Sequence, residues 1–299
     1  MKLRNLGEDR LLNLLLADLS LGKAVAVGPG DDCALVAIHD RRKLLVLKVD
    51  CVVEGVHFLR GTSASDVGWK AMMRPLSDFA ATSAVPQFAL ITVIVPEQTK
   101  VAWIKELYRG LRRAARRFDV SIVGGETSST PGEIAISTSV IGFVEKHRAV
   151  SRRGGKPGDD LFVTGRLGCA LRQKHLQFIP RIVESRWLTE NFSIRAMMDL
   201  SDGLGADLPR LTRASKVGFK LDTENLPLTG GAKINDAISE GEDYELLFAI
   251  SPRNRNRLER EWKKRFPRLP LTRIGSLSQL SIKDNQVLPR GYVHFQQSG

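Results

Sequence analysis

Short stretches that combine acidic residues with glycine recur along the whole chain, beside apolar segments. The most compact is Asp199-Leu200-Ser201-Asp202-Gly203, in which two carboxylates flank one hydroxyl. The others are Gly30-Asp31-Asp32, Asp50 ahead of Val53-Glu54-Gly55-Val56-His57-Phe58, Leu76-Ser77-Asp78, Gly124-Gly125-Glu126-Thr127 and Gly241-Glu242-Asp243-Tyr244-Glu245. Turns and strand ends are places where functional groups concentrate. The acids in these stretches are therefore candidates for one shared site.

Carboxylates that share a site repel one another. Two unit charges about 4 Å apart cost on the order of 4 kcal/mol at an effective dielectric constant of 20, so cations or retained protons have to neutralise them. Mg²⁺ prefers carboxylate oxygens, water and substrate phosphates, and Asp199-x-x-Asp202 places two carboxylates in one tight turn that could bridge two metal ions. The neighbouring glycines let phosphate oxygens approach the backbone closely. The pattern favours phosphoryl transfer assisted by several Mg²⁺ ions.

Each acidic stretch also has a simpler interpretation when it is taken alone. Asp78 and Asp202 could begin helices, Asp32 could make a side-chain turn, and Glu242-Asp243 could be a solvated loop. The usual nucleotide signatures are missing, since no GxxxxGK[ST] occurs and Cys33 stands where GxGxxG needs its last glycine. A protein of this sequence that uses ATP has to hold the phosphates through metal ions and glycine amides.

Composition narrows the class of protein. The 299 residues are 42% hydrophobic and 26% charged, which is typical of a soluble globular protein. No apolar run approaches the ~20 residues that span a bilayer, so we expect no membrane segment. Three cysteines without CxxC spacing favour a reducing, cytoplasmic setting. The net charge of +12 indicates anionic partners or simply solvated basic faces, and no nucleic-acid partner is expected because no aromatic residues interleave the basic stretches.

Hydrophobic periodicity predicts an α+β chain of two domains, residues 1–145 and 146–299, because charges, glycines and a proline replace the apolar pattern from 145 to 160. Helices are expected over 8–20, 101–117, 206–214 and 253–266. A helix over 64–74 is predicted to stop at Pro75, and Ser77 is predicted to cap a second, short helix. Strands are expected over 44–49, with Asp50 at the strand end, and over 120–123 and 134–144. Gly124-Gly125 is expected to form a turn.

These stretches, in this order, resemble the thiamine-monophosphate kinase family, whose superfamily includes aminoimidazole ribonucleotide synthetase, selenophosphate synthetase and a hydrogenase-maturation protein. The match runs from Gly28 to Phe295, and VEGVHF, SDGL and GEDYELL together are highly specific. It also includes Ser151-Arg152…Gly155-Lys156-Pro157-Gly158-Asp159 and the closing Gly291-Tyr292-Val293-His294-Phe295. The resemblance implies a two-domain aminoimidazole ribonucleotide synthetase-like fold that forms a homodimer through the sheet of the N-terminal domain.

The resemblance also implies an activity and roles for residues. The family transfers the γ-phosphate of ATP directly to thiamine phosphate and yields thiamine diphosphate, with Mg²⁺ as the metal. The expected metal ligands are Asp32, Asp50, Asp78, Glu126, Asp199 and Asp202. The expected nucleotide contacts are Asp32, Tyr108, Gly125, Glu126, Arg152 and Ser201. The expected contacts to thiamine phosphate are His57, Glu242 and Tyr292. Asp199, Asp202 and Lys48 are the predicted catalytic residues.

Two departures from the family pattern leave the activity open. Lys48 and Val49 replace two hydroxyl residues ahead of Asp50, and Glu126 replaces an aspartate. Lys48 could supply the charge of one metal ion and hold a phosphate, which would leave an active kinase with fewer Mg²⁺ ions. The chain could instead use another acceptor, as a related ATP-dependent synthase, or it could bind thiamine phosphate or nucleotide without catalysis. A fourth interpretation is that Lys48 simply faces solvent.

Overall fold

The computed structural model of the chain describes residues 3–280 and 288–292. Its helices are α1 (Leu3–Leu6), α2 (Glu8–Ala17), α3 (Ala64–Ala81), α4 (Val101–Arg117), α5 (Ala170–Gln173), α6 (Ile182–Asn191), α7 (Leu204–Ser215), α8 (Ile234–Ser239) and α9 (Arg255–Arg265). Its strands are β1 (Val25–Val27), β2 (Ala34–Ala37), β3 (Lys43–Val53), β4 (Val85–Val95), β5 (Ser121–Ser129), β6 (Ala135–Glu145), β7 (Asp160–Thr164), β8 (Ile194–Asp199), β9 (Gly218–Leu221), β10 (Leu246–Ile250) and β11 (Leu271–Ser278). Among the described residues, none of the helices combines the length and the apolar character that crossing a bilayer requires.

The chain forms two compact units, and each is discontinuous in sequence. Unit 1 comprises Met1–Asp31, Ser151–Gln173 and Ile194–Gly299, and unit 2 comprises Asp32–Val150 and Lys174–Ser193. One change of unit falls at 150/151, five residues beyond the domain boundary expected from composition. The first 31 residues and the segment 174–193 are grouped with the other half of the chain. The division into domains 1–145 and 146–299 stays a prediction.

Unit 2 is built on a sheet with helices on one face. Its strands lie in the order β2-β3-β6-β4-β5, and only the β4–β5 pair is parallel. Side chains alternate between the two faces of a strand, and in β3 the even-numbered residues Leu44, Val46 and Val52 are buried. Helix α3 packs on this face, which we call the inner face. Leu47 and Val49 point to the opposite, outer face and are exposed.

Helix α3 runs unbroken from Ala64 to Ala81 through Pro75, so the prediction of two helices separated at Pro75 is wrong. A proline inside a helix costs about 3 kcal/mol because it removes a hydrogen bond and crowds the preceding turn. Nearly every residue from Val67 to Ala81 is buried, and that packing outweighs the cost. Ser77 lies inside the helix, is 1% exposed, and caps no helix start.

Two expected boundaries in the sheet of unit 2 are also wrong. Asp50 lies inside β3, three residues before its end, because the ladder with β6 continues to Val53. Gly124 and Gly125 lie inside β5 rather than in a turn, and they pair with β4. Glycine is unfavourable inside a strand unless another backbone approaches closely. At Gly125 an added Cβ would overlap the carbonyl group of Ile91, so close strand packing explains this glycine.

Unit 1 contains an antiparallel sheet in the order β8-β10-β7-β11-β9. Strands β7 and β10 are buried along their whole length, which explains the apolar runs Leu161-Phe162-Val163 in β7 and Leu246–Ile250 in β10. Phe162 and Phe248 stack across this pair at 5.7 Å between ring centroids. Helix α7 follows β8 and packs against it, so Leu204, Leu208 and Leu211 join the core. The connection between β8 and α7 carries the stretch Leu200–Gly203, which is therefore held at both ends by buried elements.

Candidate active site

Four of the expected site residues of unit 2 lie on the inner face. Lys48 and Asp50 are two residues apart on β3 and share this face, and Asp78 of α3 packs against them. The Lys48 ammonium lies 2.9 Å from Asp78 Oδ1 and 3.8 Å from Asp50 Oδ1. Asp32, just before β2, offers a carboxylate oxygen within 4.8 Å of one from Asp78, and both residues are buried. Unit 2 therefore gathers three carboxylates and one ammonium group.

Electrostatics keep Lys48 charged. Burial alone lowers the pKa of Lys48, but the Asp78 and Asp50 carboxylates outweigh that effect and raise the pKa above its ordinary value. Burial, together with Asp78, raises the pKa of the neighbouring Cys33 thiol, so Cys33 stays protonated. The negatively charged groups that could bind a metal ion here are thus carboxylates, whose oxygens suit a hard cation such as Mg²⁺ rather than a soft one.

Glu126 and Val49 lie on the other side of the same sheet. Asp50, Thr138, Ile91 and Gly125 form one row of paired residues across β3, β6, β4 and β5. Glu126 belongs to the next row and therefore points to the outer face, with its backbone about 14 Å from β3, at three strand spacings of about 4.8 Å. Its carboxylate accepts a hydrogen bond from the Thr127 N–H at 2.9 Å. Within one chain, unit 2 does not bring Glu126 to the Lys48 face, and its role as a ligand stays a prediction.

The remaining expected residues of unit 2 lie on three different elements. His57 lies in the turn that follows β3, where its Nδ1 accepts a hydrogen bond from the Val53 N–H at 3.1 Å. Tyr108 is half-buried in α4. Gly125 lies at mid-strand in β5. The roles of His57, Tyr108 and Gly125 stay predictions.

In unit 1, the expected metal, nucleotide and substrate residues meet at one loop. Asp199 ends β8 and is 3% exposed. The Glu242 N–H donates to the Ser201 carbonyl at 2.7 Å, and the Tyr292 N–H donates to the Asp202 carbonyl at 2.8 Å. We call Asp199–Gly203 the acidic loop. Two segments distant in sequence are thus attached to it by their backbones. Val293–Phe295 of the closing motif lie outside the described residues.

Two residues that sequence reasoning missed hold the acidic loop. Asp207 in the first turn of α7 is fully buried, and its Oδ2 accepts a hydrogen bond from the Asp202 N–H at 3.0 Å. Arg210 pairs with the carboxylates of both Asp202 and Asp207. Burial and the Asp202 charge raise the pKa of Asp207, while Asp207 and Asp202 outweigh the effect of burial and raise the pKa of Arg210. The three-residue spacing of Asp207 and Arg210 was the available signal, since such residues share a helix face.

Arg152 borders a strongly basic cavity within unit 1. The backbone N–H of Arg152 donates to the Asp31 carboxylate at 3.2 Å, and its backbone carbonyl accepts a hydrogen bond from the Ser215 hydroxyl at 2.8 Å. The cavity measures about 750 Å³, and its basic lining consists of Arg152, Arg153, Arg210, Arg213 and Lys216. Guanidinium groups bind phosphate oxygens in bidentate fashion. The placement of Arg152 is therefore compatible with its expected contact to nucleotide phosphates.

Comparison with known proteins identifies the family. Residues 30–144 match the family model described as AIR synthase related protein, N-terminal domain. The thiamine-monophosphate kinase of Rhodopirellula baltica is 34% identical, with 90% of this chain and 92% of the relative aligned. That of Aquifex aeolicus is 33% identical, over 99% of this chain and 100% of the relative. The chain belongs to the thiamine-monophosphate kinase family. The resemblance inferred from the sequence motifs is thereby confirmed.

A solved structure of the family shares the fold. The protein described as AaThiL complexed with AMPPCP and TMP superimposes with a TM-score of 0.83 at 33% identity, covering 98% of this chain and 99% of that one. The predicted fold class, an α+β chain of the aminoimidazole ribonucleotide synthetase-like type, is confirmed.

Proposed function

We propose that this chain transfers the γ-phosphoryl group of ATP to thiamine phosphate and forms thiamine diphosphate. The observation that carries the proposal is the convergence at the acidic loop of unit 1. Glu242 and Tyr292, the expected contacts to thiamine phosphate, are bonded by their backbones to Ser201 and Asp202. The relatives that cover almost the whole chain are thiamine-monophosphate kinases, which supports the same activity.

The side chains divide the work of a direct phosphoryl transfer. Bound Mg²⁺ would offset the charge of the ATP phosphates and of the transition state. Asp32, Asp50 and Asp78 in unit 2 and Asp199 and Asp202 in unit 1 are the proposed ligands, because their oxygens are hard donors placed on buried elements. On the nucleotide, Arg152 would bind phosphate oxygens and Ser201 would donate a hydrogen bond. The contacts to thiamine phosphate would come from His57, Glu242 and Tyr292, with the Tyr292 ring stacked on an aromatic ring of the substrate.

Lys48 would act as a permanent cation of the inner-face site. Its ammonium is directed at Asp78 and Asp50 rather than at solvent, so it already supplies one positive charge to these two carboxylates. A divalent ion placed between the same two carboxylates would face repulsion from Lys48. We therefore expect the chain to bind fewer Mg²⁺ ions than a relative with a hydroxyl residue at this position, while Lys48 helps to hold a phosphate.

One assay tests the kinase activity. Purified protein is incubated with ATP, Mg²⁺ and thiamine phosphate, and the products are separated by chromatography. Thiamine diphosphate in stoichiometric balance with ADP is the expected outcome, and Asp202→Asn should lose most of it. Asp40→Asn is the matched control, because Asp40 is half-buried in a bend between β2 and β3 and pairs with the neighbouring, 93% exposed Arg42 side chain. Full turnover in Asp202→Asn would contradict the role proposed for the acidic loop.

A second candidate function is binding without catalysis, and the ion pairs of two cations favour it. Lys48 engages Asp50 and Asp78, and Arg210 engages Asp202, so three proposed metal ligands already have organic counterions. Calorimetry of substrate binding, combined with the product assay, separates these functions. Binding of ATP and thiamine phosphate without any thiamine diphosphate would support a non-catalytic homologue, and ADP formation that needs a different acceptor would support a related synthase.

The outer face of the unit 2 sheet supports a homodimer. Two rows of paired residues cross this face, Leu47–Ile141–Phe88 and Val49–Ser139–Leu90. Leu47, Val49, Phe88 and Leu90 are all at least 36% exposed. Contiguous exposed apolar side chains on a sheet mark an interaction surface. A second copy of the chain is the occupant that the family resemblance implies.

The association state tests the proposed dimer. Leu90→Glu places a charge in the middle of the outer face and should convert a dimer to monomers in sedimentation-equilibrium experiments. Val101→Glu is the matched control, because Val101 is 70% exposed at the start of α4, away from the sheet. A wild-type protein that sediments as a monomer, or a Leu90→Glu variant that remains a dimer, would refute this use of the outer face.

A further inference from the structure

Lys70 is a fully buried lysine that none of the roles above uses. It lies in α3 with 0% exposure, between the buried residues Trp69 and Ala71. A buried ammonium group is costly unless hydrogen bonds satisfy it. The Lys70 Nζ donates to the His57 carbonyl oxygen at 2.6 Å and lies 3.0 Å from His175 Nδ1. One buried charge thus joins the turn after β3 to the segment 174–193, both within unit 2.

The turn after β3 is fixed at several points. The His57 N–H donates to the Val53 carbonyl at 2.8 Å, and the Gly55 N–H donates to the Phe58 carbonyl at 2.8 Å. Gly55 has a φ of 78°, a conformation that other residues adopt only at a cost. These bonds make the turn 53–58 compact. The Lys70 ammonium ties the main chain of this turn to α3 through the His57 carbonyl.

The ring of His57 has a defined tautomer. The Val53 N–H can only donate, so His57 Nδ1 accepts, and a neutral ring carries its proton on Nε2. An Nε2–H group is a donor, suited to a phosphate oxygen. The direction of this donor depends on two backbone anchors, because Val53 fixes the ring and Lys70 fixes the carbonyl of the same residue. A shift of the His57 main chain would turn the ring away.

We propose that Lys70 is a positioning residue of the thiamine phosphate site. It holds the His57 carbonyl so that the Nε2–H of His57 points at the substrate phosphate, and His175 keeps the ammonium in place from the other side. The proposal rests on the proposed function for the identity of the substrate. It assigns Lys70 no contact with either substrate and no part in the transfer of the phosphoryl group.

If Lys70 had a purely structural role, its replacement would give a different result. In that case, replacement by an apolar residue of similar length would lower stability, because the His57 carbonyl and His175 lose their buried partner, and would leave substrate binding unchanged. Trp69, the neighbouring residue, offers a matched control. Its Nε1–H donates to the Phe178 carbonyl at 3.1 Å, so this hydrogen bond also ties α3 to the segment 174–193 but does not involve the turn 53–58.

The variants Lys70→Met, His175→Leu and Trp69→Phe test the proposal in steady-state kinetics. Lys70→Met should raise the KM for thiamine phosphate about tenfold and leave the KM for ATP within about twofold, since only one substrate loses a positioned donor. His175→Leu should shift the KM for thiamine phosphate in the same direction, by about threefold. Trp69→Phe should leave both KM values unchanged. Equal effects on both substrates, or no effect in Lys70→Met, would overturn the proposal.

A measurement without substrate keeps the test independent of the proposed activity. The ¹⁵N signals of the His57 ring, assigned with a His57→Gln variant, should report the Nε2–H tautomer in the wild-type protein. They should move in Lys70→Met and stay in place in Trp69→Phe. If Lys70→Met does not fold, His175→Leu decides, and an unmoved His57 signal there refutes the coupling. A wild-type protein whose His57 ring signals depend on Lys70 but which makes no thiamine diphosphate would refute the proposed function and leave the positioning role of Lys70 intact.

Discussion

Gly125 gives the sharpest quantitative prediction about the fold of unit 2. A methyl group added at this position would overlap the Ile91 carbonyl oxygen and lie 2.7 Å from the Ile91 carbonyl carbon. Carbon atoms in contact are about 3.5 Å apart or more, so β5 has to move away from β4 by about 0.8 Å or more. A parallel ladder stretched by that much loses one or two hydrogen bonds locally.

The magnitude follows from two contributions. Each lost hydrogen bond costs about 1 kcal/mol, and forcing an extra carbon into a packed site costs about 1–3 kcal/mol. Gly125→Ala should therefore lower the free energy of unfolding by about 2–4 kcal/mol. For a unit of this size, the melting temperature should fall by about 5–15 °C. The neighbouring Gly124 is the matched control, because a Cβ there would meet only the Leu90 side chain, at 3.4 Å.

The assay is thermal unfolding followed by circular dichroism, with and without ATP. Gly124→Ala should stay within about 1 kcal/mol of the wild-type protein, since surface changes without overlap are mild. Gly125→Ala should be destabilised equally in both conditions. A Gly125→Ala protein as stable as the wild type, with weakened ATP binding alone, would refute the steric reasoning. Such a result would show that the glycine is required for the approach of the nucleotide rather than for strand packing.

Three further predictions concern separate contacts. The hydrogen bond from Arg186 lowers the pKa of Glu145 to about 2, so Glu145→Gln should cost about 1 kcal/mol after solvent screening at pH 6. The difference should vanish in urea titrations as the pH falls from about 4.5 towards 2, because the depressed pKa makes this stabilisation a property of the ionised form. Gly68→Ala should destabilise unit 2 by about 1–3 kcal/mol in urea, since its Cβ would overlap the backbone of α4. Gly291→Ala would overlap the Asp202 carbonyl, and in calorimetry we expect weaker binding of thiamine phosphate with ATP binding retained.

Elements with strong periodicity were predicted well. The helix expected over 101–117 is α4 (Val101–Arg117), and the strand expected over 134–144 is β6 (Ala135–Glu145). α4 has one buried and one largely exposed face, and in β6 buried residues alternate with half-buried ones, so each sequence repeats with the period of its backbone. The family motifs predicted the fold class for a different reason. Several short stretches in a fixed order are far more specific than any local propensity.

The errors arise where tertiary contacts override local signals. Pro75 stops a helix in isolation, but burial of α3 on almost all sides keeps it continuous. Gly124-Gly125 is a turn signal in a short window, yet the parallel pairing with β4 extends the strand through it. Lys70 carried no signal at all, because a lysine between apolar helix residues is ordinarily a solvated side chain. Its carbonyl and imidazole partners are 13 and 105 residues away in sequence.

The alternation of β3 separates two substitutions that look like one departure in the sequence. Lys48 points to the inner face and pairs with Asp78, whereas Val49 points to the outer face and is 59% exposed. Lys48→Thr should therefore increase the number of Mn²⁺ ions bound per chain in electron-paramagnetic titrations, and Val49→Thr should leave it unchanged. Lys43→Thr, on the exposed outer side of the same strand, is the matched control. An unchanged count in Lys48→Thr would mean that the ammonium does not stand in for a metal ion, and an increase in Val49→Thr would mean that the outer face also binds metal. If Val49→Thr leaves the count unchanged, we infer that the replacement of a hydroxyl residue by Val49 does not affect the metal site. Val49 would then belong, with Leu90, to the outer face proposed for a second copy of the chain.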